Sequence, residues 1–159
     1  MKNADATPST DRGASGPLVA MCAGHRCEAL HRLAAGQSGA DRLRSTITTG
    51  RGAVLVATEC LGACATGAVA AVARRNGATG KTGPSVWLGG MDQPAALDAL
   101  VDWIASGGPT RLDTPAESVP AVLLDAVLGI GKPIRTHSPA HYFQAAPTAE
   151  NLPPAIAKR

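Results

Sequence analysis

Four cysteines stand in two close pairs, Cys22 and Cys27 in AMCAGHRCEAL and Cys60 and Cys64 in ATECLGACATGAVA, and the chain has no others. The spacing is C-x4-C, a gap of thirty-two residues, then C-x3-C. A thiolate is a metal ligand, and two clips of two thiolates match the four positions of a tetrahedral zinc or of a [2Fe–2S] cluster. Zinc knuckles usually use C-x2-C clips, and there are none here. The same absence argues against a redox dithiol, whose signature is C-x-x-C. Four cysteines in 159 residues are also far too few for a disulfide scaffold.

The rest of the composition narrows the class. The length fits one domain with room for tails. Residues 1–16 are polar, with no apolar core of a secretory signal, and predict a disordered lead in a cytoplasmic protein. No apolar stretch is long enough to cross a bilayer, so no membrane partner is expected. Fifteen Lys and Arg face twelve Asp and Glu, a net charge of +3. The basic residues are scattered, and one Phe and one Tyr leave almost nothing to stack on bases, which argues against nucleic acid.

The elements that must position the cysteines follow from local patterns. Pro17 and the run Leu18–Met21 predict a first strand that ends at Cys22. Gly24 frees the following loop, and CEALHRLAAG predicts a helix from Cys27. Leu30, Leu33 and Ala34 share its inner face, while Glu28 and Arg32 pair at i,i+4. Gly36 and Gly39 interrupt it, and ADRLRSTITT gives a second helical piece with Leu43 and Ile47 inward. AVLVAT, residues 53–58, reads as a central strand buried on both faces and runs into Glu59-Cys60. AVAAVA (68–73) and PSVWL (84–88) predict a hairpin with a long, flexible connection through Asn76-Gly77, Gly80 and Gly83, although the alanines of the first also permit a helix. Lys81-Thr82 lacks the full phosphate-loop spacing and no helix follows it. Asp92 as N-cap and Pro94 in the first turn open a helix with the stripe Ala96, Leu97, Leu100, Val101 and Ile104, ended by Gly107-Gly108-Pro109. Trp103 falls off the centre of that stripe, at the edge of the core.

The last fifty residues differ in kind. Thr114-Pro115-Ala116-Glu117 reads as a capping box opening a short helix over 115–128, weakened by Pro120, with Val119, Val122, Leu123, Ala126 and Val127 available for burial. Residues 138–159 read as a disordered tail that carries Tyr142-Phe143, with His137 and His141 assigned no metal. The expected order is strand, helix, strand, hairpin, helix: an α/β, thioredoxin-like arrangement. Its four- to five-stranded mixed sheet carries two main helices, a short C-terminal helix and a disordered tail. Residues 17–108 form its domain and 109–159 an extension. Both clips then fall in loops after the first two strands, where open sheets usually present their sites.

At Cys60-Leu61-Gly62-Ala63-Cys64-Ala65-Thr66-Gly67, with Cys22 and Cys27 upstream, the chain resembles the thioredoxin-like [2Fe–2S] ferredoxins, and most closely the cluster domain of the 24-kDa-type NADH dehydrogenase subunit. The resemblance covers roughly residues 17–106. It implies Cys22, Cys27, Cys60 and Cys64 as the four ligands of a [2Fe–2S] cluster. It also implies that Gly62 and Gly67 let the second loop approach the sulfides and donate N–H groups to them, which raises the potential. The function implied is one-electron transfer to or from a partner redox enzyme. A cluster-based sensor or regulatory protein and a cluster carrier are the alternatives. Small free-standing relatives pair as homodimers, and the same is expected here. Two departures stand out. Only twenty-one residues precede Cys22, where the dehydrogenase subunits carry a helical region. A proline common after the second clip is replaced by Ala68, which relaxes one backbone constraint.

The remaining polar residues add little chemistry. His25, between the first two ligands, reads as a solvent-facing neighbour. With Arg26, His31 and Arg32 it would form a basic collar suited to a partner with an acidic docking surface. Glu59 reads as a solvated side chain. No G-x-S-x-G, no H-E-x-x-H and no paired acids at a strand end are present, so no enzyme is expected.

Overall fold

A computed structural model describes residues 13–34 and 39–136. Five strands form one mixed sheet in the order β2-β1-β3-β4-β5. They are β1 (Gly16–Cys22), β2 (Val54–Thr58), β3 (Ala70–Arg75), β4 (Thr82–Leu88) and β5 (Val127–Gly131). β1 and β2 run parallel, while the pairs β1–β3, β3–β4 and β4–β5 are antiparallel. The β1–β2 crossover carries α1 (His25–Leu33) and α2 (Gly39–Thr49), and α3 (Pro94–Ala105) follows β4. Among the described residues no helix is long and apolar enough to cross a membrane.

The centre of the sheet belongs to β1, whose seven residues are all buried, and to β3, whose alanines and Val72 are buried where a helix was also open from the sequence. Small side chains on β3 let the neighbouring strands and covering elements come close. AVLVAT is a strand, but it is not central: β2 pairs only with β1 and its residues are half-buried or exposed. Its continuous apolar run reflects an edge strand facing a cavity on one side, and the pattern alone does not tell these cases apart. The β3–β4 hairpin is tighter than expected. Asn76 N–H donates to Lys81 O (2.8 Å) and Gly80 N–H to Asn76 O (2.8 Å), which closes the connection before Thr82 opens β4. Gly83 lies inside that strand.

One helix departs in part from its expected face. α1 begins at His25, two residues before Cys27, and buries Cys27 and His31, whereas Leu33 is 79% exposed. The i,i+4 pair is formed, with Arg32 and Glu28 2.6 Å apart. α2 turns Leu43 and Ile47 inward as its spacing predicts, and Arg42 forms an ion pair with Asp98 of α3. On α3 the stripe Leu97, Leu100, Val101 and Ile104 is buried, and Trp103 with it. Burying four such apolar side chains and an indole supplies on the order of 10 kcal/mol of gross stabilisation.

The capping box does not open a helix. Two 3-10 turns, Pro115–Ser118 and Ala121–Ala126, flank Pro120, and the chain then pairs with β4 as β5. Thr114 and Glu117 bond side chain to side chain at 3.0 Å rather than capping backbone. Pro120 has no N–H for a continuous helix, which explains the break. Leu123 is fully buried in the core, while Val122 and Leu124 are exposed. Ser85, buried on β4, donates to Lys132 O at 2.8 Å and accepts from Trp87 Nε1 at 3.0 Å. Residues 1–12 and 137–159, which hold most of the expected lead and the tail with Tyr142, Phe143, His137 and His141, lie outside the described residues, as does Gly36.

Candidate metal centre

The end of β1 and the end of β2 lie side by side because the two strands are parallel and in register, with Cys22 opposite Thr58. Ala23 N–H donates to Thr58 O (2.8 Å) and Cys22 N–H to Val69 O (3.1 Å), so the backbone at the first clip is tied to both neighbouring strands. Cys22 is the last residue of β1 and is buried. Cys27 is the third residue of α1 and is fully buried, at the helix end that favours negative charge. Cys60 follows β2 and is exposed.

These three cysteines converge. The Cys22 sulfur is within hydrogen-bonding reach of the side chains of both Cys27 and Cys60. Gly24 permits this closeness: a Cβ there would stand 3.3 Å from Cys60 Cβ and 3.5 Å from Cys22 Sγ. Cys22, Cys27 and Cys60 carry thiols, not disulfides. Burial pushes the Cys22 thiol up, but hydrogen bonds from the Leu61 and Gly24 backbone and from the other two cysteines outweigh it, and its pKa is lowered. As a thiol, Cys22 Sγ also donates to Glu59 O at 3.8 Å. Among the described residues no group of three or more His, Cys, Asp and Glu side chains is placed to hold a metal ion.

The second clip is shaped by two left-handed glycines. Gly62 (φ 82°) points its N–H at Cys60 Sγ, 3.4 Å away, the kind of donor expected at a ligating sulfur. Cys64 opens a one-turn 3-10 segment, Cys64–Thr66, in which Thr66 N–H and Oγ1 both donate to Ala63 O. Gly67 (φ 94°) has a different surrounding: a Cβ there would meet Asp92 Oδ1 at 2.5 Å and Gly90 Cα at 3.1 Å. Its freedom serves the packing of the loop on the segment before α3.

That packing rests on Asp92, which the sequence assigns as an N-cap. Gln93 occupies the N-cap position, and Asp92 Oδ1 instead accepts the Ala68 N–H at 2.8 Å. Met91 N–H donates back to Ala68 O at 2.9 Å. Proline at position 68 would have no N–H to give to this bond.

The basic collar is smaller than expected. His25 and Arg26 are exposed, and Arg32 is engaged with Glu28. His31 leaves the collar altogether: it is 9% exposed, and burial holds its pKa below the ordinary histidine value, against the opposing pull of Asp92. Its position four residues after Cys27, on the buried side of α1, is the sequence signal that would have found it. Beside it lies a cavity of about 720 Å3 between α1, α2 and β2.

In chemistry the donors match those of a [2Fe–2S] cluster: Cys22 ends β1, Cys27 lies in the first turn of α1, Cys60 and Cys64 follow β2, and the Gly62 N–H is aimed at the Cys60 sulfur. Compared with family models, with curated proteins and with solved structures, the chain has no match.

Proposed function

We propose that this chain is a one-electron transfer protein whose Cys22, Cys27, Cys60 and Cys64 hold a [2Fe–2S] cluster. The observation that carries the reading is the approach of Cys22 at the end of β1, Cys27 in α1 and Cys60 in the loop after β2, with Cys22 favoured toward the thiolate. When bound, such a cluster supplies reversible one-electron chemistry at a potential set by its ligands and their hydrogen bonds. The chain's residues have distinct parts in this. Cys22 and Cys27 form the buried side and fix the position. Cys60 is exposed and offers the side nearest to a partner. Gly62 N–H on the Cys60 sulfur favours added negative charge there and so raises the potential.

The sheet order β2-β1-β3-β4, with β1 and β2 parallel and the following pairs antiparallel, supports a thioredoxin-like fold with β5 added at its edge. Chemistry on substrates belongs, in this reading, to a partner enzyme. Arg26, exposed beside Cys27, is the cation presented to an acidic docking surface. A cytoplasmic homodimer completes the proposal, and light scattering of the full chain checks the dimer.

The deciding experiment is anaerobic purification followed by metal analysis and dithionite titration. Two irons and two sulfides per chain, visible bands that bleach with one electron per cluster, and recovery on reoxidation are the expected result. Zinc without sulfide, or a chromophore that does not reduce reversibly, refutes electron transfer.

A further inference from the structure

Among the described residues, four of the five exposed large hydrophobic side chains fall between residues 122 and 130: Val122, Leu124, Leu128 and Ile130. Leu128 and Ile130 belong to β5, the last strand of the sheet, which pairs only with β4. Its outward N–H and C=O groups therefore face no strand among the described residues. No residue of Val127–Gly131 is charged or is proline, the usual guards of an edge. A bulge at the Trp87–Leu88 step disturbs the start of β5, but Gly129, Ile130 and Gly131 keep regular register with Trp87, Val86 and Ser85. The opposite edge differs: on β2 only Ala57 is exposed.

We propose that the outer edge of β5 is the contact between two copies of this chain, paired antiparallel about a two-fold axis at Gly129. This interface rests on the homodimer proposed above and says where it forms. The strand is complementary to its own reverse. With the axis at Gly129, Leu128 lies across from the partner's Ile130, and Ile130 across from the partner's Leu128, so the exposed apolar side chains of the two copies cover one another on one face. Apart from its chain neighbours, nothing lies within 4 Å of where a Cβ of Gly129 would stand, which leaves the axis open to close approach. Charge selects the same partner. Asp125 and Lys132 flank β5, both exposed and in no ion pair among the described residues. The strand between them holds them roughly 20 Å apart in one copy, too far to pair. Reversal brings Asp125 next to the partner's Lys132, and Lys132 next to the partner's Asp125, an opposite-charge pair at each end of the shared edge. Any other partner would have to match both the apolar centre and the reversed charges; a second copy does so by symmetry.

The test is sedimentation velocity of the full-length protein over a range of concentrations, and the expected result is a reversible dimer. Ile130→Lys, at a side chain exposed in the single copy, should weaken it at least about a hundredfold, because the symmetric contact carries the change twice and buries two unpaired charges. Asp125→Lys and Lys132→Asp should each weaken it about tenfold, with two repelling pairs per dimer, and the chain carrying both exchanges should regain the parent dissociation constant. Only a charge pair between copies gives that recovery. Far-ultraviolet circular dichroism checks that each variant is folded. Should Ile130→Lys not fold, the charge exchanges, at exposed sites outside β5, decide the matter. A dimer that persists in folded Ile130→Lys, or a double exchange without recovery, overturns this interface and leaves the homodimer standing. A parent chain that stays monomeric overturns both. Visible absorbance of the same samples reports separately on the cysteine site.

Discussion

Replacing Asp92 by alanine removes the acceptor that holds the second cysteine loop against the segment before α3. Its Oδ1 receives the Ala68 N–H at 2.8 Å, and Ala68 is fully buried. A hydrogen bond to a charged group contributes about 1.5–3 kcal/mol, and a buried donor left alone costs about 1–3 kcal/mol. Asp92 is itself only half-buried, so water can partly replace the lost oxygen, and we expect a destabilisation of about 2 kcal/mol. Asp92→Asn keeps an oxygen at the same place and gives up the charge, so it should cost about half as much. The order parent, Asn, Ala is the signature of an anchor. Equilibrium urea unfolding followed by the fluorescence of buried Trp103 and half-buried Trp87 measures both variants. If the cysteines hold the proposed cluster, iron release should quicken in the same order, since the loop between Cys60 and Ala68 loses its far attachment. An alanine variant within about 0.5 kcal/mol of the parent, the range of a plain surface change, refutes the assigned role.

Leu123→Ala tests whether the second 3-10 turn is part of the core: the side chain is fully buried, and its truncation should cost about 2–5 kcal/mol in the same unfolding assay, against near-neutral Leu124→Ala on the exposed side. Cys27→Ser should abolish the visible bands and stoichiometric iron while leaving the far-ultraviolet circular dichroism of the sheet intact. His31 gives a pH signature. Its folded pKa is lowered, so the unfolded chain takes up a proton first. The stability due to neutral His31 is therefore full above about pH 6.5 and falls as the pH drops from there toward the folded value. Unfolding midpoints of parent and His31→Leu measured from pH 7.5 to 5 should diverge in that window, and parallel curves would refute it.

Much of the fold could be read because strong local patterns agreed with the final packing. The β1 run, the β3–β4 hairpin, the inward Leu43 and Ile47, and the α3 stripe all follow their periodicity. The errors arose where one pattern serves two environments. AVLVAT has the same run whether it is central or lies at an edge over a cavity. On α1 the expected inner face holds for Leu30, which packs on the core beside buried Cys27 and His31, and fails for Leu33, which lies two residues past His31 on the exposed side. The segment after Thr114 carried helix-opening residues, and Pro120 together with the open edge of β4 turned it into 3-10 turns and a strand. Within the candidate centre, spacing was enough to nominate the cysteines, and Gly62 and Gly67 came with the resemblance. The bond from Ala68 to Asp92 links residues far apart in sequence, and no local signal encodes such a pair.

The fifth strand has a consequence for how the chain is made. β4 is complete by Leu88, whereas its outer neighbour begins only at Val127. During synthesis the cysteine loops and four strands emerge first, and β4 waits with an open edge of unsatisfied backbone groups. A ribosome stalled in the intervening stretch would leave a nearly finished molecule able to pair with another nascent copy. Nascent chains halted before and after residue 131 should therefore differ in self-association.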